Sequence, residues 1–232
     1  MARPTGGRGV LEGAFALLDA LEETEEAGLS ALATAAGLPK TTAYRLLEQL
    51  AELGAVEHRD CRYRVGPRVF RLGQGWQPHP RLRPAAAGPM RRLAAATEAT
   101  VGLCVLSEGR TLAAMGIPGM VNELAPLRPG ATWPWTTAAG KLLVATAPPT
   151  LPLDPLPALW PREARTIRDA QVALDREDLI AGVSCVATPV TTAHHQVVGA
   201  LCAMVTPAYD ITKLTQAVQQ TARAISTGLR RR

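Results

Sequence analysis
The sequence predicts an α+β protein: an N-terminal winged helix-turn-helix domain, a linker helix, and an antiparallel α+β sandwich. Three observations carry this expectation. A helix, a short helix, a tight turn, a third helix and a charged hairpin follow one another within the first 66 residues. Two β-rich runs, "GVSCVATPV" and "QVVGALCAMV", lie close together near the end. The chain then closes on an amphipathic helix, "ITKLTQAVQQTARAISTGLRRR". A length of 232 residues suffices for two domains that each bury a core. The expected division is 1–75 for the winged helix-turn-helix, with 1–9 a flexible basic tail, 76–97 for the linker helix and 98–232 for the second domain.

The elements follow from periodicity and punctuation. In "VLEGAFALLDALE", Val10, Leu11, Ala14, Leu17, Leu18 and Leu21 fall on one stripe at helical spacing. After a loop of acids and Gly28, Ser30 reads as the N-cap of a short helix that Gly37 stops. Pro39 suits the first turn of the next helix, where its missing N–H costs nothing. That helix is expected to run to about Gly54, with Ala43, Leu46, Leu47, Leu50 and Leu53 inward. Val56, Cys61, Tyr63 and Val65 belong to two extended segments around a charged turn, His58 to Arg62.

A basic amphipathic segment, "PRVFRLG", and a break near "WQPHP" separate this domain from the linker, which Pro84 and Pro89 start or kink. In the second domain "TVGLCVLSEGRTLAAMG" reads as a hairpin turning at Glu108-Gly109. "TTAAGKLLVATA" reads as a helix capped by Thr136 or Thr137, and residues 162–170 as another. Between them, the proline-dense "PPTLPLDPLPALWP" suits a surface crossing.

Composition narrows the class. No apolar run approaches the ~18 residues of a membrane span, and the arginines of "MARPTGGRGV" have no hydrophobic segment behind them. A cytoplasmic protein is expected, with no membrane partner. Cys61, Cys104, Cys185 and Cys202 form no CxxC pair, so neither a zinc ribbon nor a disulfide framework is indicated. "AAGKLL" is not a phosphate loop, since Trp135 stands where the first glycine belongs. His194-His195 fall in a turn and read as solvated. No cofactor, metal or catalytic residue is expected.

The net charge of +5 matters through its distribution. Residues 1–75 carry nine Arg and Lys against ten Asp and Glu. The acids crowd the first helix and its loop, while most of the bases fall between Lys40 and Arg71. If Ala43, Leu46, Leu47 and Leu50 face inward, Lys40, Thr41, Tyr44 and Arg45 face out, with Thr42 between the two faces. The first turns of such a helix can enter a major groove, where arginine bonds guanine and hydroxyls bond phosphate. Arg59 and Arg62 in the wing can hold the backbone. The bland alternative is a solvated helix face; the short helix before it and the basic hairpin beyond favour double-stranded DNA.

The chain resembles the IclR-type bacterial transcriptional regulators. The likeness runs through "LSALATAAGLPKTTAYRLLEQLAELGAVEHRDCRYRVGPRVFRLG", "TTAAGKLLVA" and "DREDLIAGVSCVATPV", in that order. It implies a GAF-like effector-binding second domain, a small organic effector, and homodimers, often paired into tetramers, on an operator. It also implies an effector pocket. Asp175 and Cys185 occupy its signature positions, and Ala138 and Ala139 match backbone donors suited to a carboxylate. Cys202 and Met204 stand where relatives that bind small acids carry hydroxyls, and Leu124 is a wall residue. Trp133 and Trp135 depart from the family's usual triplet. The two tryptophans either stack on a ring-containing ligand or pack in the core or at a subunit interface. Asp175 either orients a ligand or caps a helix over "REDL". Two other functions remain in view: a GAF-like redox enzyme using cysteines, and a regulator whose second domain only oligomerises.

Overall fold
The computed structural model describes residues 9–147 and 156–230. The expected basic tail, apart from Gly9, lies outside the described residues, as do 148–155 of the proline-dense stretch. The chain divides into two compact units, Met1–Trp76 and Gln77–Arg232.

The first unit contains α1 (Val10–Thr24), β1 (Ala27–Gly28), α2 (Leu29–Ala35), α3 (Lys40–Glu52), β2 (Val56–Arg59), β3 (Arg62–Val65) and α4 (Pro67–Gln74). Leu17, Leu21, Leu32, Ala43, Leu47, Val56 and Tyr63 form its core. Helix α1 differs from its apolar stripe: Val10 and Leu11 are exposed, and Gly13 and Ala20 are buried with Leu17 and Leu21. Close approach to α3 is the reason. A Cβ at Gly13 would stand 3.0 Å from Leu46 Cδ1, so smallness rather than apolarity selects the inward residue.

Ser30 is not the cap of α2. Gly28 takes that place in extended conformation, because Ala27 and Gly28 pair with Tyr63 and Arg62 as a third strand of the wing sheet. Leu53 is also exposed, since α3 has ended and the chain leaves through Gly54 at φ 69°. The wing turns at Asp60-Cys61, both at positive φ, as a two-residue hairpin requires. Cys61 is therefore exposed in the turn rather than on a strand. Val65 is exposed as well, and His58 stacks on Tyr63 with ring centroids 4.1 Å apart.

The second unit begins with α5 (Leu82–Thr97), which holds Pro84 in its first turn and Pro89 inside. It continues through β4 (Thr100–Ser107), β5 (Arg110–Ile117), β6 (Thr132–Pro134), α6 (Ala138–Thr146), α7 (Trp160–Ala170), β7 (Ala173–Arg176), β8 (Ser184–Thr191), β9 (Val197–Val205) and α8 (Ile211–Arg230). The strands form one antiparallel sheet in the order β6-β5-β4-β9-β8-β7. The β4–β5 hairpin turns at Glu108-Gly109, both at positive φ.

Helices cover both faces. Val186, Leu201, Ala203 and Val205 point to a core with Leu82, Met90, Leu214, Val218 and Ile225 of α5 and α8. Cys185, Ala187, Ala200 and Cys202 point the other way, to Leu142 of α6 and Ile167 of α7. This is the period-2 alternation of strands buried on both sides. Pro189 fits within β8 because β7 pairs with β8 only over Ser184–Ala187, leaving that side of Pro189 without a strand partner. The "REDL" segment forms no helix. Asp175 lies on β7, opposite Cys185, and the residues after it turn back toward β8.

Candidate functional site
In the first unit, α3 presents the candidate DNA surface. Ala43, Leu46, Leu47 and Leu50 are buried against α1 and α2, which leaves Lys40, Thr41, Tyr44 and Arg45 exposed and Thr42 half-buried. Pro39 is the N-cap, so the exposed residues occupy the first two turns of the helix. On the wing, Arg62 is occupied: its Nε lies 2.7 Å from Glu26 Oε1, and Nη2 donates to the Glu26 carbonyl at 3.3 Å. Arg64 donates to Glu57 at 2.8 Å, and that guanidinium holds the Glu57 carboxyl below its ordinary value. Among the described ion pairs Arg59 has no acid, which makes it the more available wing cation.

In the second unit, a cavity of about 50 Å³ opens between the sheet, the start of α6 and the Asp175 turn. Ala139, Asp175, Cys185, Cys202 and Met204 meet on its wall. Register explains the meeting. Cys185 pairs with Asp175 on one side and Met204 on the other, while Cys202 pairs with Ala187 and Gly102. All four wall residues on these strands therefore point to one face.

Leu124, Ala138 and Trp135 are not on that wall. Leu124 is exposed beside Gly182, and Ala125 takes the lining position. Ala138 is buried one residue around the helix from Ala139, although both begin α6. Trp133 lines the cavity because it points inward from the middle of β6, whereas Trp135 lies past the strand and packs edge-on against Trp160 at 4.9 Å. Among the residues that sequence reasoning missed, Cys104 was reachable, since it stands two residues beyond Gly102 on one strand face. Thr111, Leu127, Thr137, Leu179, Ile180 and Val183 were not, because loop closure brings most of them in.

The polar groups of the cavity are few. Thr137 caps α6 by accepting from the Gly140 N–H at 3.1 Å, so the Ala138 and Ala139 N–H groups begin the helix without intrahelical acceptors. The buried Trp133 indole N–H, on a wall residue, has no acceptor. Gly140 is what lets α6 lie this close: a Cβ there would stand 2.4 Å from Thr111 Oγ1 and the Trp135 carbonyl. Asp175 accepts the Asp178 N–H at 2.9 Å, and Asp178 in turn lies 3.5 Å from Lys141, itself paired with Glu163 at 3.1 Å.

Burial pushes the Asp175 carboxyl above its ordinary value, and the Asp178 N–H only partly offsets this. The three wall thiols lie without a cationic side chain among the lining residues. Cys104 Sγ stands 3.9 Å from Cys202 Sγ. Hydrogen bonding with Cys202, and then burial, push the Cys104 thiol well up, and the same contact holds Cys202 lower; Cys185, whose S–H donates to the Val186 carbonyl at 3.8 Å, is also pushed well up. Among the described residues no group of His, Cys, Asp or Glu is arranged to hold a metal ion, and no helix is long and apolar enough to cross a membrane.

Two family models match the chain, the IclR helix-turn-helix domain over residues 10–60 and the bacterial transcriptional regulator IclR C-terminal domain over 157–227. The regulator KdgR of Dickeya chrysanthemi is 33% identical over 134 residues, 56% of this chain and 44% of that protein. KdgR of Escherichia coli is 32% identical over 134 residues, covering 56% and 51%. The chain thus spans about half the length of these curated relatives. An IclR homolog from Microbacterium hydrocarbonoxydans, solved with 4-hydroxybenzoate, superposes with a TM-score of 0.85 at 21% identity, covering 95% of this chain and 99% of that one. That likeness concerns the fold.

The raised Asp175 carboxyl has a consequence for stability. A group whose folded value lies above its unfolded value stabilises the fold below the latter, here near 3.8, and that contribution is lost as pH rises through the folded value. The stability of wild type relative to Asp175→Asn should therefore fall as pH rises across this window, measured by urea denaturation; a flat difference would remove burial as the cause. Matched in both its helix-turn-helix and its C-terminal domain, the chain belongs to the IclR family of bacterial transcriptional regulators.

Proposed function
We propose that the chain is a DNA-binding transcriptional regulator whose second unit takes a small organic effector. The observation that carries this reading is the exposed first half of α3, with Lys40, Thr41, Tyr44 and Arg45 outward from a helix anchored by four buried residues. Inserted in a major groove, Arg45 reads base edges and the neighbouring hydroxyls hold phosphate. Arg59 grips the backbone, and Arg62 does so only by giving up Glu26.

The effector is a small, mostly apolar molecule with one acceptor end. Its acceptor meets the first N–H groups of α6 and the Trp133 indole, and a hydroxyl on the far side donates to Asp175. Small hydroxylated aromatic acids have this chemistry, and the Microbacterium homolog was solved with one. The effector acts through its differential affinity for two spacings of the paired DNA-binding units. No covalent turnover is required, so the chain is read as a regulator rather than an enzyme, acting in the cytoplasm.

Pairing has its own support. Leu11 and Phe15 of α1 are 75% and 63% exposed, and Phe70 and Leu72 of α4 are 67% and 70% exposed. Apolar faces this open suit a homodimer, which can pair further into a tetramer. Charging them, as in Phe70→Asp with Leu72→Asp, should shift sedimentation toward the monomer; an unchanged oligomer would place the interface elsewhere.

On operator DNA selected in vitro, Arg45→Ala should cost about 1–3 kcal/mol and relax base preference at one position. Arg59→Ala should weaken all sequences evenly and lower the salt slope by about 1. Unchanged affinity on Arg45→Ala would refute the assignment of α3. For the effector, hydroxybenzoates should raise the melting temperature of the wild type and do so less for Asp175→Ala. If no aromatic or aliphatic acid shifts it, the second unit serves only to oligomerise.

A further inference from the structure
The cavity wall carries a group of thiols that make none of the polar contacts proposed for the effector. Cys104 of β4, Cys185 of β8 and Cys202 of β9 reach it from three different strands. Cys104 and Cys202 are diagonal neighbours across the β4–β9 pair: Cys202 faces Gly102 and Cys104 faces Ala200. Glycine at 102 leaves the space that the Cys202 sulfur occupies, since a Cβ there would lie 2.9 Å from it. The two sulfurs stand 3.9 Å apart, in contact but unbonded. Cys61, the remaining cysteine, is exposed on the wing of the other unit.

We propose that Cys104 and Cys202 are a redox pair, oxidised by hydroperoxides that enter the cavity to a disulfide that alters effector and operator binding. The proposal rests on the reading of this cavity as the effector site. Cys202 is the attacking thiol, because its sulfur lies in contact with Cys104 Sγ at 3.9 Å, and hydrogen bonding across that contact favours the ionised form of Cys202 over that of Cys104. A thiolate needs such support when no lysine or arginine is beside it. Its sulfur takes one oxygen of the peroxide as the O–O bond breaks, giving a sulfenic acid and, after proton uptake, water or an alcohol. The Cys104 sulfur then displaces the sulfenic hydroxyl, which leaves as water with the Cys104 proton. Two thiols and one hydroperoxide thus become one disulfide, one water and one further water or alcohol, with two electrons passing from sulfur to oxygen.

Bond formation must move the strands. A disulfide holds its sulfurs about 2.0 Å apart, so a diagonal pair at 3.9 Å closes only if β4 and β9 shift. Both strands are buried on both faces, and a shift at their cavity side is transmitted to the α5–α8 side. Oxidation therefore changes the wall that the effector meets and the packing of the linker helix at once.

The test uses the full chain carrying Cys61→Ser, which removes the exposed thiol, treated with hydrogen peroxide and then alkylated. Peptide mapping should find Cys104 joined to Cys202, reversed by dithiothreitol and abolished by Cys202→Ser. The oxidised protein should bind selected operator DNA with at least tenfold altered affinity, restored on reduction. Wild type mapped in the same way should give the same joined peptides, which guards against a variant that fails to fold. Absence of that peptide pair, or its formation with operator affinity unmoved, would overturn the proposal. Hydroxybenzoate binding to the reduced protein is scored separately, so failure of the effector reading shows as lost binding with the disulfide still forming.

Discussion

Two-sided burial of one antiparallel sheet is the constraint on which the second unit depends. Strands β8 and β9 have no face left for water, so every side chain along them must join one of two cores. Val186, Leu201, Ala203 and Val205 go to the α5–α8 side, and Cys185, Ala187, Ala200 and Cys202 go to the α6–α7 side. A slip of one residue would send every one of them to the wrong side. The cavity is what this alternation leaves on the second side, where α6 begins and loop residues such as Ala125, Leu127 and Ile180 complete the wall.

The same register sets the cavity's chemistry. Asp175, Cys185 and Met204 stand in one row across three strands, so a carboxyl, a thiol and a thioether share the wall by pairing alone. Polar groups come from the ends of elements: the start of α6, capped by Thr137, and the turn after β7, held by Asp175 and tied through Asp178 to Lys141. An apolar floor with polar corners suits a ligand that is mainly ring or chain and carries few heteroatoms.

The first unit solves a different problem with small residues. Helix α3 must be anchored firmly enough to hold its outer face in one orientation, yet must leave that face free. Gly13 allows α1 to approach Leu46 closely, and Ala43, Leu46, Leu47 and Leu50 fill the contact. On the wing, the pairing of Ala27 and Gly28 with β3 brings Glu26 to Arg62. That pair occupies one wing cation, whereas Arg59 has no acid among the described ion pairs.

The sequence by itself determined the first three helices, the buried face of α3 through Leu50 and the Glu108-Gly109 turn, and it narrowed the α6 cap to Thr136 or Thr137. These depend on local periodicity, positive-φ positions and side-chain hydrogen bonds a few residues apart. The motif positions also marked Asp175, Cys185, Cys202 and Met204, four residues that do meet in space. Only the tertiary structure decided the rest. Gly28 displaced Ser30 as a cap because a distant strand pairs with it, and Asp175 joined β7 instead of starting a helix because β8 offers an edge. Trp133 rather than Trp135 faces the cavity because a three-residue strand ends between them. Contact between Cys104 and Cys202, 98 residues apart, exists only once β4 lies beside β9. Each of these depends on a partner far along the chain, which no local pattern of residues specifies.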